Sequence, residues 1–156
     1  MEIRRYQAGT DYEAVLSLSE RLADFKLPKR TSKETLGKQQ KNWLAEDLKQ
    51  QAENGNSHWW VLADENEAIG GFLEITVETD WLTDEKQAYL SRICLGKESE
   101  GLGYGKKLMD YAEEWARKQG YSGISLMVIA TNQHAVSFYQ RLGYEVETMK
   151  LRKQLK

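Results

Sequence analysis

The chain predicts a mixed α/β sandwich, a sheet covered by helices on both faces. Three observations carry this. Ala68–Thr79 (AIGGFLEITVET) alternates as a half-buried strand does. Tyr104–Gln119 sets Leu108, Met109, Tyr111, Ala112, Trp115 and Ala116 on one helical stripe. Strand-like runs follow two early helices and then alternate with helices, which gives a single domain over residues 1–156 with about six to seven strands.

Met1–Tyr6 is short and extended, with Ile3 and Tyr6 as its apolar points, and reads as the first strand. Gly9-Thr10-Asp11 is a turn with capping residues. From Tyr12 the spacing of Val15, Leu16, Leu18, Leu22 and Phe25 is helical, and the helix ends before Pro28. Thr31/Ser32 offers the next N-cap. Leu36, Trp43, Leu44, Leu48 and Ala52 then form a second amphipathic helix, interrupted by Gly37 and stopped by Asn54-Gly55-Asn56. Lys26–Gln40 is polar and weakly patterned, a candidate for a mobile lid.

His58–Ala63 and Ala68–Thr79, joined by a polar turn, form an antiparallel hairpin. Phe72, Glu74, Thr76 and Glu78 fall on one side of it; Leu73, Ile75 and Val77 fall on the other. Asp80–Gln87 is a loop and Ala88–Leu95 the next strand. The helix from Tyr104 stops at Gly120. Ile124–Ile129 is a strand, His134–Leu142 a short helix capped by Gly143, and Tyr144–Lys156 one or two last strands.

Composition excludes several classes. Net charge is −2, without the basic field that nucleic acid requires, so no nucleic-acid partner is expected. The N-terminal sequence lacks the apolar core of a signal peptide, and no run approaches membrane-spanning length. No membrane partner is expected and the expected location is the cytoplasm. The single cysteine, Cys94, forms no intramolecular disulfide, and no His/Cys/Asp cluster suggests a metal.

Glu98–Met109 (ESEGLGYGKKLM) follows the apolar run Tyr89–Leu95 and opens the best helix. Strand, glycine loop and helix start, in that order, form an anion cradle: glycines admit close backbone approach and the first helical N–H groups point outward. A second block, Asn132, Ala135, Phe138, Tyr139, Gly143 and Tyr144, lies downstream. Together the two blocks, from Tyr89 to Val146, resemble the GNAT superfamily of acyl-CoA-dependent N-acetyltransferases. The first matches the family's Arg/Gln-x-x-Gly-x-Gly/Ala motif over Glu100, Gly103 and Gly105. The second matches Asn-x-x-Ala-x-x-Phe-Tyr-x-x-x-Gly-Phe with every spacing kept.

The resemblance implies a GNAT-like, mostly antiparallel sheet with a splayed strand pair that admits acetyl-CoA. It implies acetyl transfer to a primary amine by direct attack in a ternary complex; the alternative is a non-catalytic acyl-CoA-binding or sensing module of the same fold. By it, Ile93, Cys94 and Leu95 hold the pantetheine arm, and Gly101, Leu102, Gly103, Tyr104, Gly105 and Lys106 cradle the pyrophosphate. Asn132 binds the cofactor, caps the last helix, or both. Tyr139 is the acid for the departing thiolate and also touches the cofactor. Glu100 departs from the family's Arg or Gln; it is expected to face solvent, with Lys106 and Lys107 partly offsetting its charge.

The base is open among Glu74, Glu78 and Asp80, with Glu74 and Glu78 preferred. Arg92 either pairs with a hairpin carboxylate or binds an acidic acceptor. His58 and His134 are read as structural, and Cys94 as packed in the sheet. The tryptophans are core by default, except Trp81, which is a candidate for the acceptor pocket. The acceptor is a small amine or a protein amine, and the resemblance leaves a homodimer open.

Overall fold

Alternation in the hairpin sets the centre of the sheet. The computed structural model describes residues 1–50 and 55–156. Five strands stand in chain order: β1 (Glu2–Arg5), β2 (Ser57–Ala63), β3 (Ile69–Thr79), β4 (Lys86–Leu95) and β5 (Ile124–Leu126). All neighbours are antiparallel except β4 and β5, which run parallel. The helices are α1 (Ala8–Leu18), α2 (Lys33–Gln50), α3 (Tyr104–Lys118) and α4 (Gln133–Arg141). Short 3₁₀ turns occupy Ser19–Ala23 and Lys97–Ser99.

The period of two divides the strand residues between two apolar clusters. Trp60, Leu73 and Ile75 pack under Leu108, Met109 and Ala112 of α3. Trp59, Val61, Phe72 and Cys94 pack under Val15 of α1 and Leu44 and Leu48 of α2. The strongly amphipathic α3 follows its predicted stripe, although Tyr111 is left exposed at its edge. Gly120, in the left-handed region at φ 84°, ends it as expected.

β4 breaks the alternation once. Glu74 pairs with Arg92, but Ile75 pairs with Leu90, so Ser91 is a bulged residue with no partner on β3. Ala88 and Leu90 face the α3 cluster before it. After it the odd residues Ile93 and Leu95 face that cluster, and Cys94 packs with the α1/α2 cluster. β5 pairs with Ala88–Leu90 and no further.

Several predicted boundaries shift. α1 begins at Ala8, before the proposed turn residues, and gives way to a 3₁₀ turn after Leu18. The helix starts early because Asp11, which is buried, serves as an anchor within its first turn. Arg4 grips it from β1 at 2.8 and 2.9 Å, and the Gln7 N–H donates to it at 2.8 Å. Ser32 caps α2 as expected, its hydroxyl accepting from the Thr35 N–H at 3.2 Å. The supposed lid is therefore partly helix: Lys33–Gln40 forms the first turns of α2. Ala52 and Asn54 lie outside the described residues.

Five strands are present among the described residues, fewer than the six to seven expected. β5 covers only half of the predicted Ile124–Ile129, and the last predicted strands over Tyr144–Lys156 do not form. A strand needs a partner for its backbone groups, and this stretch has none. Trp59 and Trp60 are buried, whereas Trp43 and Trp81 are exposed, against the expectation of core for the first. Among the described residues, no helix is long and apolar enough to cross a membrane.

Burial alone would raise the Asp11 carboxyl, but the bonds from Arg4 and the Gln7 N–H outweigh it and hold it below its ordinary value. Its contribution to stability is therefore present above the ordinary carboxylate range and lost as pH falls through the lowered folded value. Asp11→Ala should cost about 2–3 kcal/mol at pH 7. Urea unfolding should show this deficit shrinking as pH falls below the ordinary carboxylate range.

Candidate functional site

The bulge and the end of β5 coincide. Beyond Leu90 and Leu126 the two parallel strands are no longer paired. Residues 92–95 keep β3 on one edge and, among the described residues, have no strand on the other.

At the far end of β4 the Gly96 N–H donates to the Gly70 carbonyl at 2.8 Å, and the chain turns through Lys97–Ser99. Gly101 and Gly103 both lie in the left-handed region, at φ 73° and 83°. Only glycine adopts this without strain, and the second launches α3 at Tyr104 with no side-chain cap over its first N–H groups. Phe138 of α4 sits against the same turn: a Cβ on Gly105 would lie 3.4 Å from its ring.

The charge balance here differs from the expected one. Lys106 pairs with Asp110 at 2.7 Å, and Lys107 donates to the Met1 carbonyl at 2.6 Å. Neither serves Glu100. That role falls to Arg21, from the 3₁₀ turn after α1, whose Nη2 pairs with the Glu100 carboxylate. Its Nε donates to the Leu95 carbonyl at 2.9 Å. Glu100 is thus half-exposed but neutralised. Nothing local in the sequence marks this role of Arg21, because Leu95 and Glu100 lie 74 and 79 positions away.

Tyr139 is buried in the α3 cluster with Leu90, Leu108 and Met109. Its ring stands edge-on to Phe138 and Tyr144, with centroids 5.2 and 5.8 Å apart. Burial pushes its phenol up to about 12, so it keeps its proton at neutral pH. Asn132 caps α4, accepting from the Ala135 N–H at 3.4 Å. The Cys94 thiol lies 3.4 Å from the Leu18 carbonyl, and burial pushes it up to about 12 as well, which leaves it a packing residue.

On the α1/α2 side of the sheet lies a cavity of about 390 Å³ lined by Asp47, Ser57, Glu74, Thr76, Ser91 and Arg92, with Tyr89 at its wall. Ser91 and Arg92 are consecutive, yet both line it, because the bulge gives them the same side. Glu74 is 3% exposed; Arg92 Nη1 donates to it at 2.6 Å and the Ser57 hydroxyl at 2.8 Å. The same Nη1 is 2.7 Å from Asp47. Arg92 therefore pairs with a hairpin carboxylate, one of its two expected roles. Burial raises the Glu74 carboxyl; Arg92 and Ser57 oppose the rise, Asp47 adds to it, and the net direction is up.

The other acidic candidates are elsewhere. Glu78 accepts from Gln87 at 2.9 Å and Ser125 at 2.8 Å, where β5 begins. Asp80 ties the β3–β4 turn, accepting from the Leu82 N–H and the Thr83 hydroxyl. Trp81, in that turn, is 78% exposed and does not line the cavity. His58 packs 4.8 Å from Trp115, and burial lowers its pKa. Among the described residues no three His, Cys, Asp or Glu side chains converge as metal ligands would.

Comparison with known proteins follows the same lines. A model of the acetyltransferase (GNAT) family matches residues 23–144. The uncharacterized N-acetyltransferase YdgE of Bacillus subtilis is 29% identical over 104 residues, 66% of this chain and 64% of that protein. The chloroplastic GCN5-related N-acetyltransferase 7 of Arabidopsis thaliana is 31% identical over 97 residues, 54% of this chain but 35% of that protein. The match thus spans less than two thirds of either relative. A structure from Pyrococcus furiosus, assigned as an acetyl transferase, superposes with a TM-score of 0.75 at 26% identity, covering 99% of this chain and 100% of its own.

Removing Arg92 should leave Glu74 as a buried, unpaired carboxylate. The Arg92→Met variant should lose about 3 kcal/mol at pH 7. A raised folded pKa favours the native state below the ordinary carboxyl value, and that advantage is lost as pH rises through the folded value. Arg92→Met raises Glu74 further, so its deficit should grow as pH rises above the ordinary carboxyl range. Urea midpoints across that range check this; a flat deficit would assign the loss to packing.

Proposed function

The chain belongs to the acetyltransferase (GNAT) family, and from that premise we propose that it transfers an acetyl group from acetyl-CoA to a primary amine by direct attack in a ternary complex. The observation that carries this reading is the parting of β4 from β5 beside a glycine-launched helix end. Both halves of the gap suit coenzyme A. The edge of Ile93, Cys94 and Leu95 that β5 leaves without a strand partner can pair with the amide-rich pantetheine arm, apart from the Leu95 carbonyl, which Arg21 holds. The N–H groups over Gly101, Leu102, Gly103, Tyr104, Gly105 and Lys106 can bind the pyrophosphate, aided by the positive end of α3.

Acetyl-CoA supplies the activated thioester; acceptor binding and proton movement fall to the chain. The cavity is of small-ligand size, and its carboxylates Asp47 and Glu74 face one guanidinium, Arg92. This leaves a net negative lining that favours a small cationic amine as acceptor. Such an amine must lose a proton to attack. Glu74 is the better base because it lines the cavity and its raised pKa holds a proton more readily. Glu78, bound by Gln87 and Ser125, is the weaker candidate.

Tyr139 donates toward the departing sulfur. Burial makes this phenol a weaker acid than an ordinary thiol, so full transfer would run uphill. Its contribution is a hydrogen bond that strengthens as negative charge develops on sulfur. Asn132 orients α4 and with it Tyr139. Arg21 keeps the Glu100 carboxylate from repelling the pyrophosphate, which removes the main reason to read a non-catalytic acyl-CoA-binding module.

Amine-dependent release of free thiol from acetyl-CoA tests the reading, and release indifferent to a panel of amines would sink it. Tyr139→Phe should lower kcat about 100-fold, with acetyl-CoA affinity within about twofold of wild type by calorimetry. Arg21→Ala should weaken acetyl-CoA binding about tenfold at low salt and by less at high salt. Adding Glu100→Gln to Arg21→Ala should restore most of the affinity, because the uncovered charge is then gone.

A further inference from the structure

Two stripes run along α2. Gly37, Leu44 and Leu48 are buried and form its core stripe. Gln40, Asp47 and Gln50 line the polar cavity. With 3.6 residues per turn, these last three fall within one quadrant of the helix, and Trp43 falls inside the same quadrant. Trp43 stands three residues after Gln40 and four before Asp47, the spacings that make neighbours on a helix surface. Neither apolar cluster includes it, and it is 51% exposed. A long helical side chain leans over the turn that precedes it, so the indole covers the rim of the cavity beside Gln40.

The acidic groups of the cavity are graded from floor to rim. Glu74 is 3% exposed, whereas the Asp47 side chain is 43% exposed. Both touch Arg92 Nη1, so they are adjacent, and Arg92 balances one of them. Asp47 uses Oδ2 for this; its Oδ1 has no donor among the described residues. Gln50 donates through Nε2 to Glu46 at 3.2 Å, which leaves its amide oxygen as an acceptor. The rim thus holds oxygen acceptors beside an indole face. An ammonium carries three donors and no acceptor, and an indole face attracts cations. An apolar tail could lie on the ring, but it would strip water from these oxygens and leave them unpaired.

We propose that Trp43 selects the acceptor and that this acceptor is a diamine, with its reacting nitrogen at Glu74 and its second ammonium on the indole face beside Asp47. The proposal rests on the acetyl-transfer reading and names the class of amine within it. Trp43 and Asp47 lie one helical turn apart, about 6 Å along the axis, which suits a short aliphatic chain. Leu22, an apolar residue in a polar lining, suits its methylenes. The second ammonium keeps its charge while the reacting nitrogen gives up its proton. Its contact with Trp43 is therefore equal before and during attack, so it lowers KM and leaves kcat to the groups at the reacting centre.

Calorimetry on the full chain with putrescine and pentylamine tests the selection. The two amines place an ammonium or a methyl group at the same distance from the reacting nitrogen. Wild type should bind putrescine about tenfold more tightly. Trp43→Leu keeps apolar area but removes the ring face, and should reduce that preference about fivefold; Trp43→Phe should keep part of it. Both variants lie outside the core, and far-UV circular dichroism checks that they fold. In steady-state assays with acetyl-CoA the lost preference should appear in KM. Equal affinity for the two amines, tighter binding of pentylamine, or a preference untouched by Trp43→Leu would each overturn the proposal. A Trp43-dependent preference for putrescine in a protein that releases no thiol from acetyl-CoA would uphold the diamine site and sink only the transfer reading. Amine-dependent release without that preference would do the reverse.

Discussion

One unpaired residue, Ser91, governs the site. Without its bulge, Arg92 would follow Leu90 into the apolar cluster beneath α3, where no carboxylate awaits it. A desolvated guanidinium there would cost several kcal/mol. With the bulge, Arg92 turns to Glu74 and Asp47, and Ile93 and Leu95 replace it against α3. The hydroxyl of Ser91 is held by Thr76 at 2.8 Å, so the irregularity is anchored. The added local twist also accounts for β5 leaving β4 at this point.

The glycine loop depends on a second long-range contact. A glycine cradle supplies donors but no net charge, and Glu100 beside it has the wrong sign for an anion. Arg21 corrects this from a different element and also holds the Leu95 carbonyl, so the end of β4 and the start of the loop share one clamp. The more obvious cations are engaged elsewhere, Lys106 on Asp110 and Lys107 on the Met1 carbonyl. A family position can thus change sign when a neighbour in space, rather than in sequence, supplies the opposite charge.

Much of this was legible in the sequence, and the limits have physical causes. The period of 3.6 marked α3, the alternation marked the hairpin, Gly120 and Gly143 marked helix ends, and Gly101 and Gly103 marked the loop that proves left-handed at both. The bulge was not legible, because YLSRICL is apolar on both parities and hides the change of face. The range of Arg21 was hidden because ion pairs across 79 residues leave no local pattern. Tyr144–Lys156 reads as one or two strands from local sequence, but local sequence does not report whether a pairing edge is present, and among the described residues this stretch joins no ladder.

The two faces of the sheet carry different tasks. The α3/α4 face buries Tyr139, the group suited to the departing sulfur, and the α1/α2 face holds Glu74, Arg92 and the polar cavity. A sheet with intact ladders would keep these apart by the thickness of its backbone. Direct attack requires them to meet at one carbonyl. The gap beyond Leu90 and Leu126 is where the described ladder opens, and the residues bordering it alternate toward both faces. On the transfer reading proposed above, the reacting centre would lie near Ser91, with Tyr139 reaching it from one face and Glu74 from the other. That position explains why a bulge, a short β5 and a charged residue in a buried strand occur together: each is costly alone, and together they open one sheet to both faces.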